Sequence, residues 1–321
     1  FDSPDGKVHA VNGVSLRLRP GESLGIVGES GSGKSVTMMS LVGLLPSPPA
    51  NVDGGTAILR HDGTEVDILN LSRSAIRGIR GAKIGFVFQD PLSALNPTMR
   101  VGEQIAESIR KHRKLSDEQA KEAAIELLAA VGIADPARRY RAFPHEFSGG
   151  MRQRDMIAIA MAADPPIIIF DEPTTALDVT VQAQIVELVK TRLQTERGTA
   201  VIWITHDLAV VAGIADRVAV MYGGTVVESG PVDEIYEHPL HPYTRGLLAA
   251  VPTTDSEGKT RLASIEGSPP DLLVEPDFCP FQPRCAYAFD RCVDERPLLR
   301  EVGDRHRVAC HFDLRTGTQL R

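Results

Sequence analysis

No cysteine precedes Cys279 in this 321-residue chain, and all four, Cys279, Cys285, Cys292 and Cys310, fall in its tail. No apolar run approaches the roughly 18 to 20 residues that a membrane-spanning helix requires. The opening FDSPDGK has neither the basic nor the apolar region of a signal peptide. A formal charge of -7 without a run of one sign speaks against a general nucleic-acid-binding surface. No internal repeat is visible. These absences predict a cytosolic chain that meets a membrane only through a partner. In a reducing compartment, four grouped thiols suit a metal better than disulfides. What is present is ordinary for a globular chain with a real core: 42% hydrophobic and 24% charged residues, and a length that suggests two domains.

Apolar alternation in VSLRLRP and the run SLGIVG predict strands. Asp62-Gly63 sits between TAILR and EVDIL as a hairpin turn, and KIGFVFQ repeats the alternation. From 101 onward the pattern is helical: VGEQIAESIRKHR, then SDEQAKEAAIELLAAVG, opened by a Ser116-x-x-Gln119 capping box and closed by Gly132. A third helix starts at Ser148. Strands return at PPIIIFDEP, TAVIWIT and RVAVMY, separated by the helical VTVQAQIVELVKTRLQTERG and DLAVVAGIA. Strands alternating with helices imply a largely parallel sheet covered on both faces, with a helical insertion at 90–163. After Gly230, prolines from Pro231 to Pro276 punctuate a loop-rich appendix.

The stretch Gly28-Glu29-Ser30-Gly31-Ser32-Gly33-Lys34-Ser35, followed by Val36, joins an apolar strand to an apolar helix. In such a loop, backbone N–H groups and the positive helix end hold phosphates, the lysine reaches the β- and γ-phosphates, and the serine hydroxyl ligates Mg²⁺. A glycine-rich turn that fits the pattern by chance is the plainer alternative. IIIFDEP buries a strand and delivers Asp171, suited to hold Mg²⁺ through water, and Glu172, suited to polarise an attacking water as general base. Strand-end acids also cap helices, which is the rival reading. In FSGGMRQR, Ser148, Gly149, Gly150 and Met151 open a helix that offers donors to an anion, or forms a plain N-cap.

Phosphate loop, FVFQDP, FSGGMRQR, IIIFDEPTTALD and ITHD, in that order, resemble the ATP-binding subunit of an ATP-binding-cassette (ABC) transporter over residues 1 to about 230. The resemblance implies an α/β fold: a P-loop NTPase core (1–89 and 164–230) with a RecA-like sheet and an antiparallel β subdomain, a helical subdomain (90–163), and a Cys-containing C-terminal extension (231–321). It implies that Gln89 contacts Mg²⁺ or water and senses the membrane subunits, that His206 contacts the γ-phosphate, and that Asp178 communicates across a dimer. It also implies that the 148–151 signature completes the partner subunit's ATP site, so that two subunits close head to tail on ATP. Phe147 and Met151 depart from the family's usual Leu and Gln without removing backbone donors. An aromatic upstream of the first strand commonly stacks on adenine in this family; Phe1 is the candidate, against a reading as a frayed end.

HPLHPYTRGLLAAVP (238–252) and PDFCPFQPRC resemble the tail of bacterial dipeptide and oligopeptide importer ATPases, extending the likeness to about residue 310. By itself HPYTRGLL reads as a short helix with Tyr243 and Leu247 packed on the core. The implied assembly has two permease subunits, an extracytoplasmic peptide-binding protein and a second ATPase subunit, with this chain peripheral on the cytoplasmic face and no nucleic acid. Related members import nickel, glutathione or other small solutes. A soluble ABC protein acting on nucleic acid or ribosomes is the alternative from another class, though the doubled cassette or long coiled-coil insertion usual there is not visible.

The spacing C-x5-C-x6-C-x17-C lacks the tight pairs of structural zinc and suits a cubane cluster on loops. Some members of the resembled subfamily carry a [4Fe-4S] cluster on these cysteines, so that assignment comes first, with Zn²⁺ and metal-free thiols as alternatives. His306 and His311 are candidate substitute ligands, against a reading as exposed surface histidines. The expected role is structural, a metal tying together loops without a core.

Overall fold

The computed structural model describes residues 1–175, 177–251 and 264–320. Ala176, inside TTALD, and Pro252, the last residue of HPLHPYTRGLLAAVP, lie outside them. A short ladder of β1 (Asp2–Ser3) and β2 (Gly6–Lys7) opens the chain. The buried run Ser23–Val27 forms β3, and α1 (Lys34–Leu41) follows the glycine-rich loop. Asp62-Gly63 turns β4 (Ile58–His61) into β5 (Thr64–Asp67) as expected, and α2 (Arg73–Ile79) leads to β6 (Ile84–Val87). The helical block comprises α3 (Pro91–Ala94), α4 (Val101–Arg113), α5 (Asp117–Ala130), α6 (Pro136–Arg139) and α7 (Gly149–Met161). The Ser116/Gln119 capping box forms, each side chain satisfying the other residue's backbone N–H. Then come β7 (Ile167–Asp171), α8 (Val179–Leu188), β8 (Ala200–Thr205), α9 (Leu208–Ile214), β9 (Arg217–Tyr222) and β10 (Thr225–Pro231). The tail adds α10 (Val232–Glu237), α11 (Pro242–Ala249), α12 (Asp290–Asp294), β11 (Arg300–Gly303) and β12 (His306–Val308).

Contacts divide the chain into two units, residues 1–17, 24–57 and 205–321 in one, 18–23 and 58–204 in the other. In the first, β3 runs parallel to β9, which turns into antiparallel β10, and β12 and β11 extend the sheet beyond β10. In the second, β6, β7 and β8 are parallel neighbours and α7 packs on β6, α3, α4 and α5. Strands buried on both faces read as continuous apolar runs, which is why IIIF and AVIWI were legible.

Three expectations need correction. VSLRLRP forms no strand; alternation supplies two faces but not a ladder neighbour, and the Arg17 carbonyl is instead taken by the Arg217 side chain. The tail is not without a core: Ile235, Tyr243, Cys279, Phe281 and Cys292 are buried in one cluster with Val220 and Tyr222, and HPYTRGLL is the predicted helix. His306 and His311 are buried, not exposed. His306 Nε2 lies 2.8 Å from Glu228, a fully buried carboxylate that also accepts the N–H groups of Leu240 and His241 at 2.7 and 3.0 Å. His311 Nε2 meets the Glu295 carbonyl at 3.0 Å.

Candidate functional site

The first unit carries the glycine-rich loop between β3 and α1. Gly33 caps α1 at φ 93°, and a Cβ there would strike the Ala10 carbonyl; at Gly28, φ 154°, it would strike the Met221 carbonyl. Only glycine fits both places. Glycine at the cap brings no side-chain acceptor of its own, and a helix start of this kind suits an anion through its backbone N–H groups. Lys34, 4% exposed, folds back over the loop and donates to the Gly28 and Glu29 carbonyls at 2.7 and 2.8 Å. A positive charge thus sits at the loop's centre, with Ser30, Gly31, Ser32 and the half-buried Ser35 and Val36 along the same turn. The arrangement matches the expected phosphate-holding loop in shape and charge. Phe1 is held by a paired backbone, Val8 N–H to Phe1 O and the Phe1 nitrogen to Val8 O, each at 2.8 Å. His206 is exposed just ahead of Asp207, whose carboxylate caps α9 through the Ala209 N–H at 2.9 Å.

The loop is also held from outside, by residues far from it in sequence. Glu29 donates its N–H to the Tyr243 hydroxyl at 2.8 Å, and its carboxylate pairs with Arg284. The signal was present in CPFQPRC, an arginine between cysteines, but nothing local says that it reaches residue 29.

In the second unit, β7 delivers Asp171, 5% exposed, to the strand end, and Glu172 follows at φ 45°. A left-handed glutamate is strained and persists because its surroundings fix it. Its N–H donates to Ile204 O at 3.0 Å, and its Oε2 accepts from Gln89 Nε2 and Thr175 Oγ1, each at 3.1 Å. The expected base and the expected sensor glutamine are therefore brought together. Ser148 caps α7 through the Met151 N–H at 3.3 Å, Gly149 and Gly150 form its first turn, and Asp178 caps α8 through the Val181 N–H at 3.0 Å. The plain capping roles are thus real at Ser148 and Asp178. Helix α7 also holds Asp155, fully buried, with no hydrogen-bond partner on either oxygen among the described residues. Burial pushes its carboxyl up to about 8.

The cysteines share one neighbourhood without forming a ligand group. Cys279 donates its N–H to Cys292 O at 3.0 Å, and both side chains lie in the tail's apolar cluster. Burial pushes the Cys279 thiol up to about 12 and Cys310 up to about 11. Among the described residues no group of three or more His, Cys, Asp or Glu is set to hold a metal ion. The convergence of thiolates expected at Cys279, Cys285, Cys292 and Cys310 is thus not seen as a ligand group among the described residues. Nor is any helix among the described residues long and apolar enough to cross a membrane.

Residues 11–175 match the ABC transporter family, and residues 227–292 match the oligopeptide/dipeptide transporter C-terminal region. The oligopeptide transport ATP-binding protein OppD of Bacillus subtilis is 51% identical over 96% of this chain and 85% of its own length. The dipeptide transport ATP-binding protein DppD of the same species is 49% identical, covering 97% and 91%. Among solved structures, a dimeric post-hydrolysis state of the ATP-binding cassette MJ0796 bound to ADP and Pi superposes with TM-score 0.63 at 29% identity, over 72% of this chain and 94% of that one.

Proposed function

The chain belongs to the ABC transporter ATP-binding subunits that carry the oligopeptide/dipeptide C-terminal region, and from that premise we propose that it is the ATP-hydrolysing motor of an importer of di- or oligopeptides. The observation that carries this reading is the union of both regions on one chain, with likeness to peptide-transport relatives over 96% and 97% of it. The motor sits peripherally on the cytoplasmic face, with two permease subunits, a second ATPase subunit and, through the permeases, a peptide-binding protein.

The roles follow from the two halves of the machinery. Gly28 to Val36 hold the triphosphate with backbone donors, and Lys34 swings from its carbonyl partners to the β- and γ-phosphates. Ser35, Gln89 and Asp171 would hold Mg²⁺, which when bound neutralises charge on the phosphates. Glu172 takes a proton from the attacking water, and His206 contacts the γ-phosphate. Ser148 to Met151, on the 90–163 arm, serve the partner's ATP, Asp178 reports across the pair, and Phe1 stacks on adenine. Detergent extraction of membranes is expected to bring this chain out with its permeases, and cells lacking the permeases should lose salt-resistant membrane association. Association with ribosomes or DNA instead would overturn the importer.

The thiols support a finer proposal, a [4Fe-4S] cluster or Zn²⁺ on Cys279, Cys285, Cys292 and Cys310. The donor set suits thiolates: Tyr287 N–H and Phe312 N–H each point at a sulfur, Cys285 and Cys310, at 3.4 Å. The side chains do not form a ligand group among the described residues, so binding would require them to rearrange and the buried thiols to release protons. Iron with acid-labile sulfide in the anaerobically purified chain is the expected result. Stoichiometric zinc selects the second metal, and neither element leaves metal-free thiols.

A further inference from the structure

Arg284 is not a surface arginine. Its side chain is 4% exposed, and its guanidinium grips both Glu29 oxygens, Nη1 to Oε2 at 2.6 Å and Nη2 to Oε1 at 3.1 Å. The remaining donor directions are also taken: Nη1 to the Tyr222 hydroxyl at 3.2 Å, Nη2 to Ile265 O at 3.1 Å and Nε to Glu266 O at 2.9 Å. A fork filled in this way is fixed in position. Tyr222 tilts against Tyr243 with ring centroids 4.6 Å apart, and Tyr243, fully buried, takes the Glu29 N–H. Residues 222, 243 and 284 therefore hold one loop residue by its backbone and its charge.

Glu29 is an acid inside a loop built to hold anions. An unmatched carboxylate there repels a polyphosphate, and the repulsion is strong where solvent is scarce. Arg284 cancels that charge while drawing the side chain to the tail side of the loop. We propose that the C-terminal region sets the phosphate loop's affinity for nucleotide through Glu29, with Arg284 and Tyr243 as positioning residues. The proposal rests on the reading of Gly28 to Ser35 as an ATP site. It makes the cysteine-bearing turn, which carries Arg284 next to Cys285, mechanically continuous with the nucleotide loop.

Calorimetric titration of Mg·ATP into the intact chain tests this, with near-UV circular dichroism as the fold control. Arg284→Gln is expected to weaken binding about tenfold, the worth of one charge-assisted pair. Adding Glu29→Gln to that variant should restore affinity to within about threefold of the parent, because the repelling charge is gone. A purely structural arginine, needed for Ile265 and Glu266, would not be rescued. Arg284→Lys, which keeps the charge and loses the fork, should bind more tightly than Arg284→Gln and less tightly than the parent. Tyr243→Phe removes the acceptor of the Glu29 N–H and should weaken binding about threefold. Unchanged affinity in Arg284→Gln, failure of the double variant to recover, or a lysine variant as weak as the glutamine one would each overturn the proposal. No binding by the parent chain would overturn the ATP reading itself, and this inference with it.

Discussion

Glu172→Gln is expected to stop ATP turnover while leaving ATP binding intact. The side chain is oriented by the Gln89 amide and the Thr175 hydroxyl, both donors to Oε2. A glutamine oxygen accepts those same bonds, and the backbone tie to Ile204 O does not involve the side chain. Position therefore survives and basicity does not. General-base removal typically costs about 10² to 10⁴ in rate, roughly 3 to 5 kcal/mol of barrier. Phosphate release at saturating ATP, measured beside the ATP dissociation constant, separates the two effects. Turnover within tenfold of the parent would remove Glu172 from the role of base.

Asp155→Val is expected to produce the largest change in stability. Along α7 the residues Met156, Ile157, Ala158, Ala160 and Met161 are buried as well, so the helix is apolar from Asp155 onward, and neither carboxylate oxygen has a hydrogen-bond partner among the described residues. Desolvation alone raises its pKa to about 8, whereas an unfolded aspartate ionises near about 4. Below about pH 4 both states are protonated and the contribution to stability is whole. As pH rises towards 8 the unfolded chain releases a proton that the native state keeps, so stability falls by about 1.4 kcal/mol per pH unit. At neutral pH the loss is on the order of 4 kcal/mol, and valine, similar in volume and apolar, removes it. Urea unfolding at pH 5 and pH 8 checks this: the parent should lose stability across the interval through this group, and the valine variant should lose less. Equal pH dependence in the two proteins would show that Asp155 finds a partner.

Much of this was legible because local chemistry decides it. The phosphate loop, the Asp62-Gly63 hairpin, the Ser116 cap and the apolar strand at 167–170 each depend on neighbours within a few residues. Sequence periodicity does not say which strand lies alongside, so VSLRLRP had the alternation and lacked a ladder. Long-range partners were invisible for the same reason: Glu228 and His306 are 78 residues apart, Glu29 and Arg284 are 255 apart. His306 was therefore misplaced on the surface. The tail shows no core in its sequence because its apolar residues are scattered singly; Ile235, Tyr243 and Phe281 find their core with Val220 and Tyr222 of the first unit's sheet. Asp155 left only a faint trace, one acid interrupting the apolar run after RQR.

The sheet of the first unit is completed by strands that come late in the chain, β11 and β12. Synthesis proceeds from the amino terminus, and domains begin to fold as they emerge. β10 is made long before β12, the strand beside it, and Glu228 spends that interval without His306. The outer grip on the nucleotide loop is later still than the loop itself, because Arg284 follows Glu29 by most of the chain. A ribosome that has finished the cassette motifs has not yet finished the machine: the earliest motif to emerge is among the last to be braced.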